Sequence, residues 1–188
     1  MIHNSVSLTG QFLIASPGID DSRFDRALIY VLSHSREEGA RGLVVNRPAE
    51  KLQFQDVLEQ LNMHTTDNAL PPLLLGGPDK MTSGFILHSD DYRTLSTRAV
   101  ADDICLTATQ DILKDIVENR GPKEFLVALG CASWQRGQLE DELSGNIWLT
   151  APASRQILFH TPFEDRWHLA LKNIGIDSYR LSAISGKA

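Results

Sequence analysis

The 188-residue sequence has few of the features that mark disulfide-rich or membrane-spanning proteins. Its two cysteines, Cys105 and Cys131, lie far apart and form no Cys-x-x-Cys unit. No disulfide framework is indicated, and in a reducing compartment we expect two buried thiols. The longest apolar runs, such as residues 27–32 and 125–129, are much shorter than the ~20 residues that span a bilayer.

Positive charge is also scarce. The chain has 18 Lys and Arg against 24 Asp and Glu, for a formal net charge of −6, and no basic cluster. Nucleic acids and anionic membranes select basic patches, so we expect neither as a direct partner. The first residues lack the basic segment and small-residue cleavage site of a secretory signal, which predicts a cytoplasmic protein.

Catalytic and metal-binding motifs are missing as well. The sequence contains no Gly-x-Ser-x-Gly elbow and no phosphate loop, and its six histidines lack the spacing of metal ligands. We therefore predict no catalytic residue, metal or cofactor. Cys131 follows an apolar run, where a nucleophile could stand, but no motif gives it a partner, and a packed thiol is the favoured interpretation.

The apolar patterning predicts one α+β domain over residues 1–188, with a mixed sheet, because strands outnumber helices and do not alternate with them regularly. Residues 27–33 and 42–46 are expected to form a hairpin. Thr107 with Gln110, and Thr161 with Pro162, predict two helix starts. The predicted strands are 11–15, 27–33, 42–46, 73–75, 84–89, 94–100, 104–107, 125–129, 147–150, 156–160 and 179–184, and the predicted helices lie near 54–61, 107–120, 137–144 and 161–174.

Four stretches resemble the bacterial YqgE/AlgH family. They are "GQFLIASPGIDDSRFDRALIYVLSH" (10–34), "GARGLVVNRP" (39–48), "LLLGGPDKMTSGFILHS" (73–89) and "GCASWQRGQLEDELSGNIWL" (130–149). The resemblance covers nearly the whole chain in order. It implies an α+β fold in which a bifurcated mixed sheet folds into a pseudo-barrel with flanking helices. Relatives often carry an aromatic residue in place of Cys131, which argues against a catalytic thiol.

Two charged residues lie at the ends of predicted elements. Arg47 follows a strand and is held by Pro48, and Glu140 lies in the first turn of the helix after Gly137. We predict that Arg47 and Glu140 approach each other beside Trp134, as a structural clamp or as a ligand or partner surface. The candidate surface is Asn46, Arg47, His88, Trp134, Gln138 and Glu140, and the predicted turn residues are Pro17, Pro48, Gly76, Gly77, Pro78 and Gly137.

Two functions remain open at this point. The first is an intracellular binding or regulatory module that acts through a protein partner or a small ligand. Because members of the family are often labelled transcriptional regulators, the resemblance implies a link to transcription, here without direct DNA binding. The second is a hydrolase-like enzyme of unrecognised type, with a polar site built from Asn46, Arg47, His88, Gln138 and Glu140. The absence of a nucleophile–base motif favours the first.

Overall fold

A computed structural model describes residues 7–17, 19–65 and 70–177, and the structural statements below refer to these ranges. They form one mixed sheet of nine strands with four α-helices, a 3₁₀ turn at Ser22–Phe24 and a π-helical turn at Gln156–His160. The strands are β1 Gln11–Ala15, β2 Leu28–Ser35, β3 Gly39–Val44, β4 Leu73–Leu75, β5 Asp79–Ser89, β6 Arg98–Ala101, β7 Ile104–Thr107, β8 Phe125–Trp134 and β9 Trp148–Pro152, and the helices are α1 Phe54–Gln60, α2 Asp111–Val117, α3 Gln138–Ser144 and α4 Phe163–Asn173.

The sheet forks at β8. Its strand order is β6-β7-β5-β8-β3-β2-β1-β9, and β4 pairs with β8 outside this path. The first half of β8 pairs with the parallel strand β4, where Leu73 lies opposite Val127, and with the antiparallel strand β5. The second half pairs with β3, where Ala40 lies opposite Trp134. One long strand thus joins two sub-sheets, as a bifurcated sheet requires.

The forked sheet curls until its two ends share a core. Phe12 of β1 and Ile104 of β7 belong to the same buried cluster, against which Ala101 of β6 packs. A Cβ added at Gly10, just before β1, would lie 3.2 Å from the Cβ of Ala101. The expected α+β pseudo-barrel is therefore confirmed.

The helices pack against three different parts of this sheet. Helix α4 fills the concave side, where Trp167 and Leu171 join the central cluster. Helix α3 packs on the outer side, where Leu139 contacts the cluster of Trp134 and Trp148. Helices α1 and α2 cover β4, β5 and β8 with a third cluster that contains Phe54, Leu58 and Ile112. Within the described ranges, no helix combines the length and apolarity needed to cross a bilayer.

Most predicted elements are present, including the β2–β3 hairpin, but the strand predicted at 156–160 is wrong. This segment forms the π-helical turn Gln156–His160. Ile157 and Leu158 are adjacent and both buried in the central cluster, whereas neighbouring residues of a strand point to opposite faces. A short apolar run does not distinguish these two conformations. The strand predicted at 179–184 lies outside the described residues.

At both predicted helix starts, the threonine expected to cap the helix is not the N-cap residue. Thr107 ends β7, and α2 begins four residues later with Gln110 as its N-cap. The hydroxyl of Thr161 donates to the carbonyl of Gln156 at 3.0 Å, and Pro162 is the N-cap of α4. In each case the threonine hydroxyl forms a hydrogen bond with another partner instead of capping the helix. The strand predicted at 94–100 is reduced to β6, because Thr94 and Thr97 form a turn.

Candidate functional site

The predicted contact between Arg47 and Glu140 is wrong. Both terminal nitrogens of the Arg47 guanidinium donate to backbone carbonyls, those of Arg23 and Asp25, the second at 2.9 Å. Glu140 instead lies 3.1 Å from Nε2 of His34. Within the described ranges no ion pair joins Arg47 to Glu140. Each side chain finds a partner from an element distant in sequence, which local patterns do not reveal.

Asn46 and Arg47 act together on the loop that contains the 3₁₀ turn. The Asn46 side chain accepts a hydrogen bond from the Leu28 amide at 2.8 Å and donates one to the Arg26 carbonyl at 2.9 Å. Arg26 has a positive φ of 51°, which is unfavourable for a residue with a Cβ. The two side chains therefore hold this loop in place by its carbonyl groups.

His88 is a core residue. Its side chain is fully buried, with Nδ1 2.8 Å from the Ser89 carbonyl and Nε2 2.9 Å from Oγ1 of Thr107. Burial lowers the pKa of His88, which favours the neutral ring. In that form Nδ1–H donates to Ser89 and Nε2 accepts from Thr107. Both ring nitrogens are used within the protein, so His88 is not available to a ligand.

The two ring nitrogens of His34 also have partners within the protein. Its Nδ1 accepts a hydrogen bond from the Leu8 amide at 3.1 Å, so the ring proton lies on Nε2 and points to Glu140. The pair joins β2 to α3. Both ring nitrogens of His34 thus have partners within the protein, and the histidine–carboxylate pair links the two elements.

Trp134 and Gln138, by contrast, line a common groove. It has a volume of about 540 Å³ and lies between residues 16–17 and 19–24 on one side and the end of β8 with α3 on the other. Three aromatic rings form one wall. Phe24 packs edge-on against Trp148 at a centroid distance of 5.5 Å, and Trp148 packs against Trp134 at 5.9 Å. Such edge-to-face contacts hold the rings in defined orientations.

Glu142 organises this wall and was not predicted from the sequence. Its Oε2 accepts the indole N–H groups of both Trp134 and Trp148 at 2.7 Å, and its Oε1 accepts from Nε2 of Gln138 at 2.8 Å. A carboxylate has about four acceptor positions, so one remains open. The spacing of Gln138 and Glu142, four residues apart on one helix, is the sequence signal that would have indicated their contact.

Carboxylates dominate the charge of the groove. Asp20, Asp21, Asp79 and Glu142 line it together with a single cation, Arg23. The Arg23 guanidinium binds the carboxylate of Asp21 at 2.7 Å, and this hydrogen bond lowers the pKa of Asp21. The lining therefore has a formal excess of three negative charges, and we call it the acidic groove.

Glycines and prolines set the backbone around the acidic groove. Gly77 approaches β8 so closely that an added Cβ would lie 2.2 Å from the carbonyl carbon of Cys131, and Gly76 is similarly tight. This approach places Pro78 and Asp79 beside β8, where both line the groove. Gly137 precedes α3 with φ of 80°, a conformation that favours glycine. Pro17 lines the opposite rim, and Pro48 forms a β-bridge with Leu74.

Neither a metal cluster nor a reactive thiol is found near the groove in the part of the chain that the structure describes. No group of three or more His, Cys, Asp or Glu side chains is placed to hold a metal ion there. Cys131 is 1% exposed and packs in the central core, with its Sγ 3.8 Å from Oγ of Ser133. This burial agrees with the interpretation of Cys131 as a packed thiol.

Comparison with known proteins places the chain in a family. Residues 12–179 match the family described as AlgH-like (DUF179). A UPF0301 protein of Rhizobium etli is 46% identical over 187 residues, which cover 95% of this chain and 92% of the relative. A UPF0301 protein of Saccharophagus degradans is 46% identical over 184 residues, which cover 97% and 90%.

Two solved structures have the same fold. The solution structure of the AlgH protein from Pseudomonas aeruginosa superposes with a TM-score of 0.77 at 37% identity and covers 98% of this chain and 96% of that one. A crystal structure from Corynebacterium diphtheriae superposes with a TM-score of 0.71 over 92% and 89% of the two chains, at 20% identity, and shows the fold alone. From its sequence match, its relatives and its fold, the chain belongs to the AlgH-like family of UPF0301 proteins.

Proposed function

We propose that the protein is a binding module whose acidic groove takes a small ligand bearing an ammonium or guanidinium group. The observation that carries this proposal is Glu142, whose carboxylate is held against two tryptophans with one acceptor position open. A carboxylate fixed in this way does not have to reorganise when a cation arrives, so less entropy is lost on binding.

The hydrogen-bonding groups of the acidic groove favour a cation. Its strong donors are already used: both indole N–H groups bind Glu142, and the Arg23 guanidinium binds Asp21. The carboxylates of Asp20 and Asp79 make no side-chain hydrogen bond or ion pair with other described residues. Aromatic faces beside carboxylates attract cations further through the ring quadrupole. A ligand rich in N–H donors matches this surface.

The size of the acidic groove indicates the size of the ligand. Its volume of about 540 Å³ lies within the roughly 300–1,000 Å³ of small-molecule pockets. An amine, a guanidine compound or a single basic side chain of a protein partner would fit. A DNA duplex would not, since the carboxylates repel phosphate. A regulatory effect of this protein on transcription would therefore pass through the ligand or a protein partner.

The alternative of a hydrolase-like enzyme has weaker support. Of its five proposed residues, His88 is buried with both ring nitrogens occupied, and Glu140 binds His34. Asn46 and Arg47 hold backbone carbonyls of one loop. Only Gln138 lies on the acidic groove, so these residues supply no adjacent nucleophile and base.

Calorimetric titration with agmatine tests the proposal, because this compound carries both a guanidinium and an ammonium group. We expect saturable binding that weakens with added salt. The double variant Asp20→Asn/Asp79→Asn should bind about tenfold more weakly, since each exposed carboxylate contributes ~0.5–1 kcal/mol. The matched control is Asp102→Asn/Asp141→Asn, which removes two exposed charges outside the groove and should bind normally.

Two outcomes would refute a cation site in the acidic groove. One is the absence of any heat of binding at millimolar agmatine. The other is an equal loss of affinity in both double variants, because this would indicate attraction to the net charge of the protein instead of to the groove.

A further inference from the structure

A second groove adjoins the acidic groove and has a different electrostatic character. It has a volume of about 810 Å³, and the side chains of Asp79, Ser133, Trp134 and Gln138 line both grooves. Beyond this shared boundary its lining contains Arg41, Arg98 and hydroxyl groups from neighbouring strands. We call it the arginine groove. The two grooves are therefore direct neighbours.

The strand register places Arg41 between two serines. Arg41 of β3 lies opposite Ser33 of β2 on one side and Ser133 of β8 on the other. Residues opposite each other in neighbouring strands point to the same face of the sheet, with Cβ atoms about 5 Å apart. Two hydroxyl groups therefore flank the Arg41 side chain, and all three residues are exposed. The row Ser33–Arg41–Ser133 presents a guanidinium and two hydroxyls to one region of the groove.

The two arginines of the groove have no side-chain partner within the described part of the chain, whereas the Ser133 hydroxyl lies 3.8 Å from Sγ of Cys131. The guanidinium groups of Arg41 and Arg98 make no hydrogen bond or ion pair there, whereas Arg23 and Arg155 are each bound to a carboxylate. Glu38 and Asp79 also line the arginine groove, but neither forms an ion pair with Arg41 or Arg98. The lining therefore contains two arginines and two carboxylates with no ion pair between them in the described ranges, and the free N–H groups of the arginines complement a negatively charged oxygen.

We propose that the arginine groove binds an oxyanion, a carboxylate or a phosphate, and that the ligand of this protein is bipolar, with its cationic end in the acidic groove. The assignment of the cationic end rests on the proposed function above. A guanidinium binds carboxylate and phosphate through two parallel N–H···O bonds, and serine hydroxyls can supply further donors. Arg41 is the residue that determines specificity for the anionic end.

The test compares probes that differ only by the anionic group. Arginine is agmatine with a carboxylate, and phosphoethanolamine is ethanolamine with a phosphate, so the two pairs distinguish the two oxyanions. We expect the anionic member of at least one pair to bind about tenfold more tightly than its partner. Arg41→Gln should abolish this difference and leave the affinity for agmatine unchanged or slightly higher. Arg36→Gln, which removes an exposed arginine of the same hairpin outside the groove, is the control.

The outcomes separate this inference from the proposed function. Equal affinities within both probe pairs would overturn the oxyanion site while leaving the cation site intact. An unchanged preference in Arg41→Gln would do the same. If agmatine fails to bind but inorganic phosphate causes NMR shifts at Ser33 and Ser133 that Arg41→Gln removes, the oxyanion site stands without the cation site, and the bipolar ligand is refuted. If neither probe binds, both proposals fail.

Discussion

The indole N–H of Trp134 donates to Oε2 of Glu142 at 2.7 Å, eight residues further along the chain. The same oxygen accepts the indole N–H of Trp148, so one carboxylate joins β8, α3 and β9. Both indoles are nearly buried, at 5% and 3% exposure for Trp134 and Trp148. Without this acceptor, two buried donors would have no partner.

Replacing Glu142 with alanine should therefore destabilise the protein substantially. We expect the free energy of unfolding to fall by about 2–4 kcal/mol, because two indole N–H groups lose their acceptor. Urea unfolding followed by tryptophan fluorescence measures this loss. Asp141→Ala, on the neighbouring exposed position of the same helix, should change stability by less than about 0.5 kcal/mol. Equal effects of the two substitutions would show that the carboxylate does not support the aromatic wall.

Arg47 and Glu140 should behave as independent residues. Arg47→Met removes two hydrogen bonds to backbone carbonyls and should cost about 1–2 kcal/mol. Glu140→Gln changes only the contact with His34. Because the two side chains share no contact, the double variant should show the sum of both losses within about 0.5 kcal/mol. A coupling energy above about 1 kcal/mol in this double-mutant cycle would contradict the separation of the two sites.

His88 should make the protein less stable as the pH falls below about 6.5. Burial lowers the pKa of His88 in the folded state. Above the pKa that His88 has in the unfolded state, its ring is neutral in both states, and its full contribution to the free energy of unfolding is present. Below it the unfolded state takes up a proton that the folded state does not, so the free energy of unfolding decreases.

The variant His88→Gln isolates this effect, because its side chain has no proton to gain. Between pH 7 and pH 5 its stability should fall less steeply than that of the wild type, as measured by urea unfolding at each pH. Asp91 also has a lowered pKa, because it accepts a hydrogen bond from Ser89, but its contribution is lost only as the pH falls below about 4. If the free energy of unfolding of the wild type and of the variant decreased equally between pH 7 and pH 5, the prediction would be contradicted.

The two thiols should react slowly in the folded protein. Cys105 is fully buried and Cys131 is 1% exposed, and burial raises the pKa of the Cys105 thiol. A thiol that is both inaccessible and protonated reacts poorly with disulfide reagents. We expect negligible labelling by Ellman's reagent in native buffer and labelling of both residues in denaturant. Rapid labelling of Cys131 in the native protein would identify an activated thiolate.

The sequence by itself determined the local elements that depend on short patterns. The apolar stripe from Phe54 to Leu58 produced α1, and the continuous apolar run after Phe125 produced the core half of β8. Hydrophobic periodicity is a property of neighbouring residues, so it can be recognised without the fold. Trp134 and Gln138 could also be assigned to one site from the sequence, because only a short turn separates them.

Only the tertiary structure decided which distant side chains meet. Glu140 binds His34 of β2 instead of Arg47, because the pairing of β2, β3 and β8 beneath α3 brings that histidine to the helix. Likewise, Ser33, Arg41 and Ser133 form a row only through the register of three strands. A local pattern specifies which face a residue occupies, but the strand order and register specify its neighbours, and these depend on packing across the whole chain.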